Sequence, residues 1–277
     1  MTGSSLKFES LEGAAVGVLL TADAREKAAT ARAAAAAWRG GALRRATATP
    51  DVPDRPQRPD RPELKAPRDV PRRKITKEPG GRAALLHALA HIELNAIDLA
   101  FDIVARFSGP IAMPDTFVAD WIGVGDDEAR HFLMLDDRLR DLGYSYGDFA
   151  AHDGLWQAST VTAHSLLARL AVVPMVLEAR GLDVTPPMIA KLTKAEDAQS
   201  AAILQVIHDD EIGHVAVGKR WFDFLCDRDG LEPVETWHDQ VRRYFRGDLK
   251  PPFNTDSRDK AGFGEEFYLA LAKGPQV

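Results

Sequence analysis

Asp126-Asp127-Glu128-Ala129-Arg130-His131 and Asp209-Asp210-Glu211-Ile212-Gly213-His214 are two copies of one pattern, Asp-Asp-Glu-x-x-His, in a chain of 277 residues. Three residues of α-helix advance about 300°, so the Glu and His of each copy share a face, one turn apart. Each copy interrupts an apolar stripe at helical spacing. The first stripe is Phe117, Trp121, Val124, Glu128, His131, Leu135 and Leu139; the second is Leu204, Ile207, Glu211, His214, Gly218, Trp221 and Leu225. Upstream of each lies a further stripe carrying one carboxylate. Leu86, Ala90, Glu93, Ile97, Ala100 and Val104 precede the first copy, and Leu167, Ala171, Pro174 and Glu178 precede the second. Glu93 stands 35 residues before Glu128 and Glu178 stands 33 before Glu211, so the arrangement is an internal repeat. A lone Glu-x-x-His carries little weight, because 14 Glu and 8 His in this length give roughly 0.4 such spacings by chance. A third one, Glu235 with His238, follows Pro233 in a polar stretch without an upstream partner, and is set aside.

Working outward, the punctuation predicts four long helices. They run from about Arg82 to Phe107 (closed by Gly109-Pro110), Asp115 to Leu142 (closed by Gly143) and Trp156 to Arg180 (closed by Gly181). The fourth opens at Thr185 as N-cap with Pro186 at the first helical position, and continues, with a break near Asp197, to about Cys226. No convincing run alternates as a strand does. The expected fold class is all-α, a four-helix bundle over residues 81–228. Residues 1–48 form an N-terminal segment whose alanine-rich part, 22–38, reads as a helix lying on something else. Residues 49–80 form a proline-rich strap in which Pro50, Pro53, Pro56, Pro59 and Pro62 recur every third residue, the period of polyproline II. A stiff connector across the protein's own surface is the favoured reading of the strap over a ligand for a partner domain. The ten basic residues between Arg44 and Lys74, against five acidic ones, suit either an RNA backbone or a solvated strap. Residues 229–277 form a C-terminal extension, whose tail from Pro251 covers either the site or a partner surface.

Four carboxylates and two imidazoles thus project into what should be a dry interior. Burying even one unpaired carboxylate costs several kcal/mol, so such a bundle needs compensating positive charge or captured protons. Divalent metal supplies it. One Glu from each of two helices plus Glu-x-x-His from each of two others is the ligand set of dinuclear carboxylate bundles. Glu93, Glu128, His131, Glu178, Glu211 and His214 are therefore the candidate metal ligands. Asp127 and Asp210 could accept from the outer nitrogen of a ligating histidine or be plain surface charges, and Arg130 could pair with such a carboxylate or face solvent. His87, His91 and His208 lie off the central stripe and read as packed or surface histidines. Pro174 removes a backbone hydrogen bond one turn before Glu178 and should kink its helix.

Composition narrows the classes further. The single Cys226 can form neither a disulfide framework nor a zinc–thiolate cluster, leaving oxygen and nitrogen as ligands. A formal net charge of −6 argues against general nucleic-acid binding, though a tRNA substrate stays open. No segment approaches the roughly 20 apolar residues of a membrane span, and no targeting segment is convincing; the chain reads as cytoplasmic.

Glu93 with Asp127-Glu128-Ala129-Arg130-His131 resembles the motif of oxygen-activating di-iron carboxylate proteins, with Gly213 replacing the arginine in the second copy. His87-Ala88-Leu89-Ala90-His91-Ile92-Glu93, Glu178-Ala179-Arg180-Gly181-Leu182-Asp183, and Pro252-Phe253-Asn254 with Arg258 and Ala261-Gly262-Phe263 are similar to the uncharacterised bacterial ferritin-like family, domain of unknown function 455. That resemblance covers nearly the whole chain. It implies a ferritin-like four-helix bundle holding two iron ions, or iron with manganese. Glu128 and Glu211 would then bridge, Glu93 and Glu178 would be terminal, and His131 and His214 would each give one nitrogen. More distantly, the ligand pattern alone resembles the di-iron tRNA hydroxylase acting on a prenylated, methylthiolated adenosine. The function expected is an O₂-dependent oxidoreductase or hydroxylase acting on an unidentified small molecule or modified nucleoside, with an external reductant. The alternatives are an iron-handling ferroxidase without organic substrate and a non-catalytic scaffold with a structural metal. A monomer or small homo-oligomer is expected, because the long flanking segments disfavour a storage cage.

Overall fold

The computed structural model describes residues 8–48, 50–71 and 75–272. The chain is all-α, with no strand among the described residues. It divides into two compact units, residues 1–156 and 157–277.

The first unit is built on two long helices, α3 (Pro79–Phe107) and α4 (Asp115–Asp141), packed along their lengths. Pro79 opens α3 at a position whose N–H would be unused anyway, and Gly143, at φ +82, follows the C-cap of α4. Gly125 lets the helices approach closely, since a Cβ there would sit 2.5 Å from the Phe101 ring. Two shorter helices lie against this pair: α1 (Leu11–Leu19) on α3 and α2 (Ala24–Arg39) on α4. The alanine-rich helix is therefore α2, opened by Asp23 accepting from the Glu26 N–H; it buries Ala28, Ala31 and Ala35. Helix α1 was not foreseen. Its signal was present in Ser10, whose hydroxyl accepts from the Gly13 N–H as an N-cap.

The strap is tied down on the first unit. Gln57 N–H donates to Leu19 C=O at 2.8 Å, Trp156 Nε1 to Asp54 C=O at 3.2 Å, and Lys65 N–H to Ala151 C=O at 2.8 Å. Arg58 reaches from it to Asp98, Nε to Oδ2 at 2.8 Å, and that carboxylate also pairs with fully buried Lys27. Burial pulls the Lys27 amine below its ordinary value against the opposing attraction of Asp98. These bonds fit the connector reading; Arg72, Arg73 and Lys74, the end of the basic run, lie outside the described residues.

The second unit comprises α5 (Gly154–Thr162, from Gln157 onward), α6 (Leu166–Val172), a π-helical turn (Val173–Glu178), α7 (Ala179–Lys194), α8 (Ala198–Asp229), α9 (Pro233–Tyr244), α10 (Thr255–Lys260) and α11 (Glu265–Tyr268). The expected third helix is thus interrupted rather than continuous. Pro174 has no N–H to close the α ladder, and the kink foreseen there takes the form of the π turn. Gly218 of α8 accommodates it, because a Cβ there would lie 2.3 Å from the Pro174 ring.

The boundary expected between Gly181 and Thr185 is absent: α7 runs through Gly181, Thr185, Pro186 and Pro187. One of the two gaps that Pro186 and Pro187 leave in its ladder is filled from afar. Pro186 cannot donate to Leu182 C=O, and Asn254 Nδ2 donates there instead at 3.1 Å. The boundary lies at Asp197, where a break was expected; its carboxylate caps α8 by accepting from the Ser200 N–H at 3.0 Å. Helix α8 ends at Gly230, which adopts the left-handed conformation at φ +68.

Candidate metal centre

Glu93 enters the site from the middle of α3, and Glu128 and His131 enter from α4. All three are buried: 3 % exposed for Glu93 and 0 % for the other two. Each offers one ligand atom, and these atoms lie within 4.8 Å of one another. His131 Nδ1 is 3.3 Å from Glu93 Oε2 and 3.6 Å from Glu128 Oε2. Burial pushes the Glu93 carboxyl well above its ordinary range, the charge of Glu128 and a hydrogen bond with it push in the same direction, and His131 opposes them. Two buried carboxylates this close need a proton or a cation between them. Two carboxylates and an imidazole without any thiolate form a donor set suited to a first-row divalent metal, so this buried group could hold a metal ion.

In the second unit, Glu211 and His214 repeat the pattern on α8. His214 Nδ1 lies 3.7 Å from Glu211 Oε1, against 3.6 Å for the equivalent pair on α4. Both residues are buried. Glu178, half-buried, is the last residue of the π turn.

The remaining candidates fall out as follows. Asp127 pairs with Arg130 along α4, Oδ1 to Nη2 at 2.7 Å, with both side chains partly exposed. Asp210 is half-buried on α8. His87 accepts from the Gly147 N–H at 2.9 Å and stacks on Tyr146, so it is a packed histidine. His91 is one too: its Nε2 lies 3.1 Å from His152 C=O and its Nδ1 2.8 Å from the Tyr146 hydroxyl. Burial, aided by the Arg58 charge, lowers its pKa to about 3, so Nε2–H donates to the carbonyl and Nδ1 accepts from Tyr146. His208 meets Ser257 Oγ at 3.3 Å. His238, from the discounted third motif, donates Nε2–H to Phe267 C=O at 2.7 Å. Tyr146 is the residue that spacing could not place. It sits in the loop after α4 and is brought beside α3 by a fold no periodicity describes.

A buried acid–imidazole cluster on an all-α frame defines the class as a helical protein with a candidate metal centre. The chain belongs to the family described as protein of unknown function DUF455, whose profile matches residues 20–269. It is similar to an uncharacterised protein of Haemophilus influenzae, 44 % identical over 205 residues that cover 72 % of this chain and 70 % of that protein. No solved structure matches significantly. No helix among the described residues is long and apolar enough to cross a membrane.

Proposed function

We propose that the chain is a ferritin-like dinuclear carboxylate protein that uses O₂ to oxidise a small-molecule or nucleoside substrate, with two iron ions, or iron and manganese, as cofactor. The observation that carries this reading is the buried trio Glu93, Glu128 and His131, whose Glu–His geometry recurs at Glu211 and His214. The internal repeat in the sequence supports giving the second Glu–His pair the same role as the first. In this reading Glu93, Glu128, Glu178 and Glu211 would hold the metal through their carboxylates, and His131 and His214 through their ring nitrogens. When bound, the metal pair supplies electrons to O₂ and the oxidising equivalents for the substrate.

The chain's own residues perform the rest. The four carboxylates supply four negative charges, which two divalent ions balance. Ile97 and Leu135 are fully buried, and Trp121 and Val124 nearly so, on the same helices as the ligands; these apolar walls keep bulk water from the ligand atoms. The rigid α3–α4 pair, drawn together at Gly125, fixes the three ligands of the first half. A reductant comes from outside the chain.

Metal analysis of protein purified from iron-replete cells tests the reading: close to two first-row ions per chain is expected, and a single zinc or no metal refutes it. Comparing small metabolites and modified nucleosides between wild-type and deletion cells then identifies the substrate class.

A further inference from the structure

Within the second unit, the π turn borders a cavity of about 130 Å³. Its apolar wall is formed by Met175, Val176 and Leu177 of that turn with Phe245, Leu249 and Phe253 of the C-terminal extension. Three cations, Arg180, Lys250 and Arg258, and two carboxylates, Asp183 and Asp248, complete the lining, leaving one positive charge in excess. The carboxylates are already engaged: Asp183 with Arg258 at 2.7 Å and Arg180 at 3.3 Å, and Asp248 with Lys250 at 4.0 Å.

Arg258 supplies the second observation. It is only 3 % exposed; Nε donates to Asp183 Oδ1 at 2.9 Å, and Nη2 donates to Asp183 Oδ2 and to Ala179 C=O. Among the described residues its Nη1 has no hydrogen-bond partner. Phe253, Phe263 and Tyr268 surround the guanidinium with ring centroids at 5.0, 5.5 and 4.4 Å, which strengthens its field by excluding water. A buried charged donor left over beside a cavity with an apolar wall is a costly arrangement for packing alone, and it is the feature a ligand acceptor would satisfy. An apolar cavity of about 150 Å³ takes a benzene-sized body, which bounds the ligand.

We propose that this cavity is a binding site for a small organic anion, a carboxylate carried on a compact aromatic or branched aliphatic body. The body lies against the π turn and Phe253, and the carboxylate faces Arg258 and Lys250. The site is independent of the metal reading, although its floor is the turn that ends in Glu178.

The test is calorimetric titration of the full chain, with and without prior chelation, using benzoate and isovalerate alongside the neutral benzyl alcohol and isoamyl alcohol. Saturable binding of at least one acid at roughly millimolar or tighter affinity is expected, with the matching alcohol at least about tenfold weaker. Leu249→Trp fills the cavity and should abolish acid binding while leaving the helical circular-dichroism spectrum and metal content unchanged. Arg258→Met, which can also weaken folding, should erase the preference for acid over alcohol wherever it folds. Failure of both acids to bind, alcohols binding as tightly as acids, or undiminished acid binding by folded Leu249→Trp protein overturns the proposal.

Discussion

Replacing Gly218 by Ala tests how the π turn is accommodated. The new Cβ would meet Pro174 Cβ at 2.3 Å and Cγ at 2.4 Å, whereas ordinary contact begins at 3.4 Å, so α8 and the turn must part by 1.1 Å or more. The pyrrolidine ring cannot rotate aside, because it is closed onto its own backbone. Over-packing of this kind costs about 1–3 kcal/mol. Alanine's better helix propensity returns about 0.8–1 kcal/mol, leaving a net loss of roughly 0–2 kcal/mol. Gly213, on the same helix, is the internal control: nothing among the described residues lies within 4 Å of its Cβ position, so Gly213→Ala should gain about 0.8–1 kcal/mol. The propensity gain is common to both variants, so they should differ by the over-packing cost, roughly 1–3 kcal/mol, with Gly218→Ala the less stable. Guanidinium unfolding followed by circular dichroism, with the melting temperature as a second reading, measures both. If Gly218→Ala proves as stabilising as Gly213→Ala, the close approach is not what the glycine provides.

Glu128→Ala and Glu211→Ala should each lower metal content measured by mass spectrometry, whereas Glu235→Ala should leave it unchanged; loss of metal on Glu235→Ala would mean the wrong motif was assigned. Asp183→Asn leaves buried Arg258 without its counter-ion and should cost about 3–5 kcal/mol in denaturant unfolding, and a cost under about 1 kcal/mol would show that the pair contributes little. Glu12 gives a pH dependence. Burial pushes its carboxyl up, but the Ala46 N–H and the Arg45 guanidinium together outweigh burial and hold it below the ordinary 4.5. The unfolded chain therefore binds the proton more readily, and the stability Glu12 contributes is complete above its unfolded pKa and lost as pH falls through the lower folded value. Glu12→Gln should flatten that acid limb in unfolding free energies measured against pH, and an unchanged limb would place the dependence elsewhere.

The local signals read well where both partners of a contact sit close in sequence. Gly109-Pro110 after α3, Gly143 after α4 and Asp197 before α8 all mark ends, because caps and left-handed glycines act within one turn. The trio Glu93, Glu128 and His131 was legible for a related reason: a carboxylate in a leucine's place is visible on a helical wheel. The reading failed at Gly181, Thr185 and Pro186, where each residue carries an ordinary signal for a helix end. What overrides them is Asn254, 72 residues beyond Leu182, and no window of one or two turns contains it. Tyr146 was out of reach for the same reason, since its partners His87 and His91 are 59 and 55 residues away.

The repair of α7 by Asn254 also constrains how this protein is made. When Pro186 leaves the ribosome, the side chain that will satisfy Leu182 C=O has not yet been synthesised. Asn254 follows Leu182 by 72 residues and Pro186 by four fewer, so at about 5–20 residues per second α7 carries an unrepaired break for roughly 3–14 s. The second unit can therefore reach its native state only after Asn254 has been synthesised, and a chain terminated anywhere before it would expose this defect to proteases.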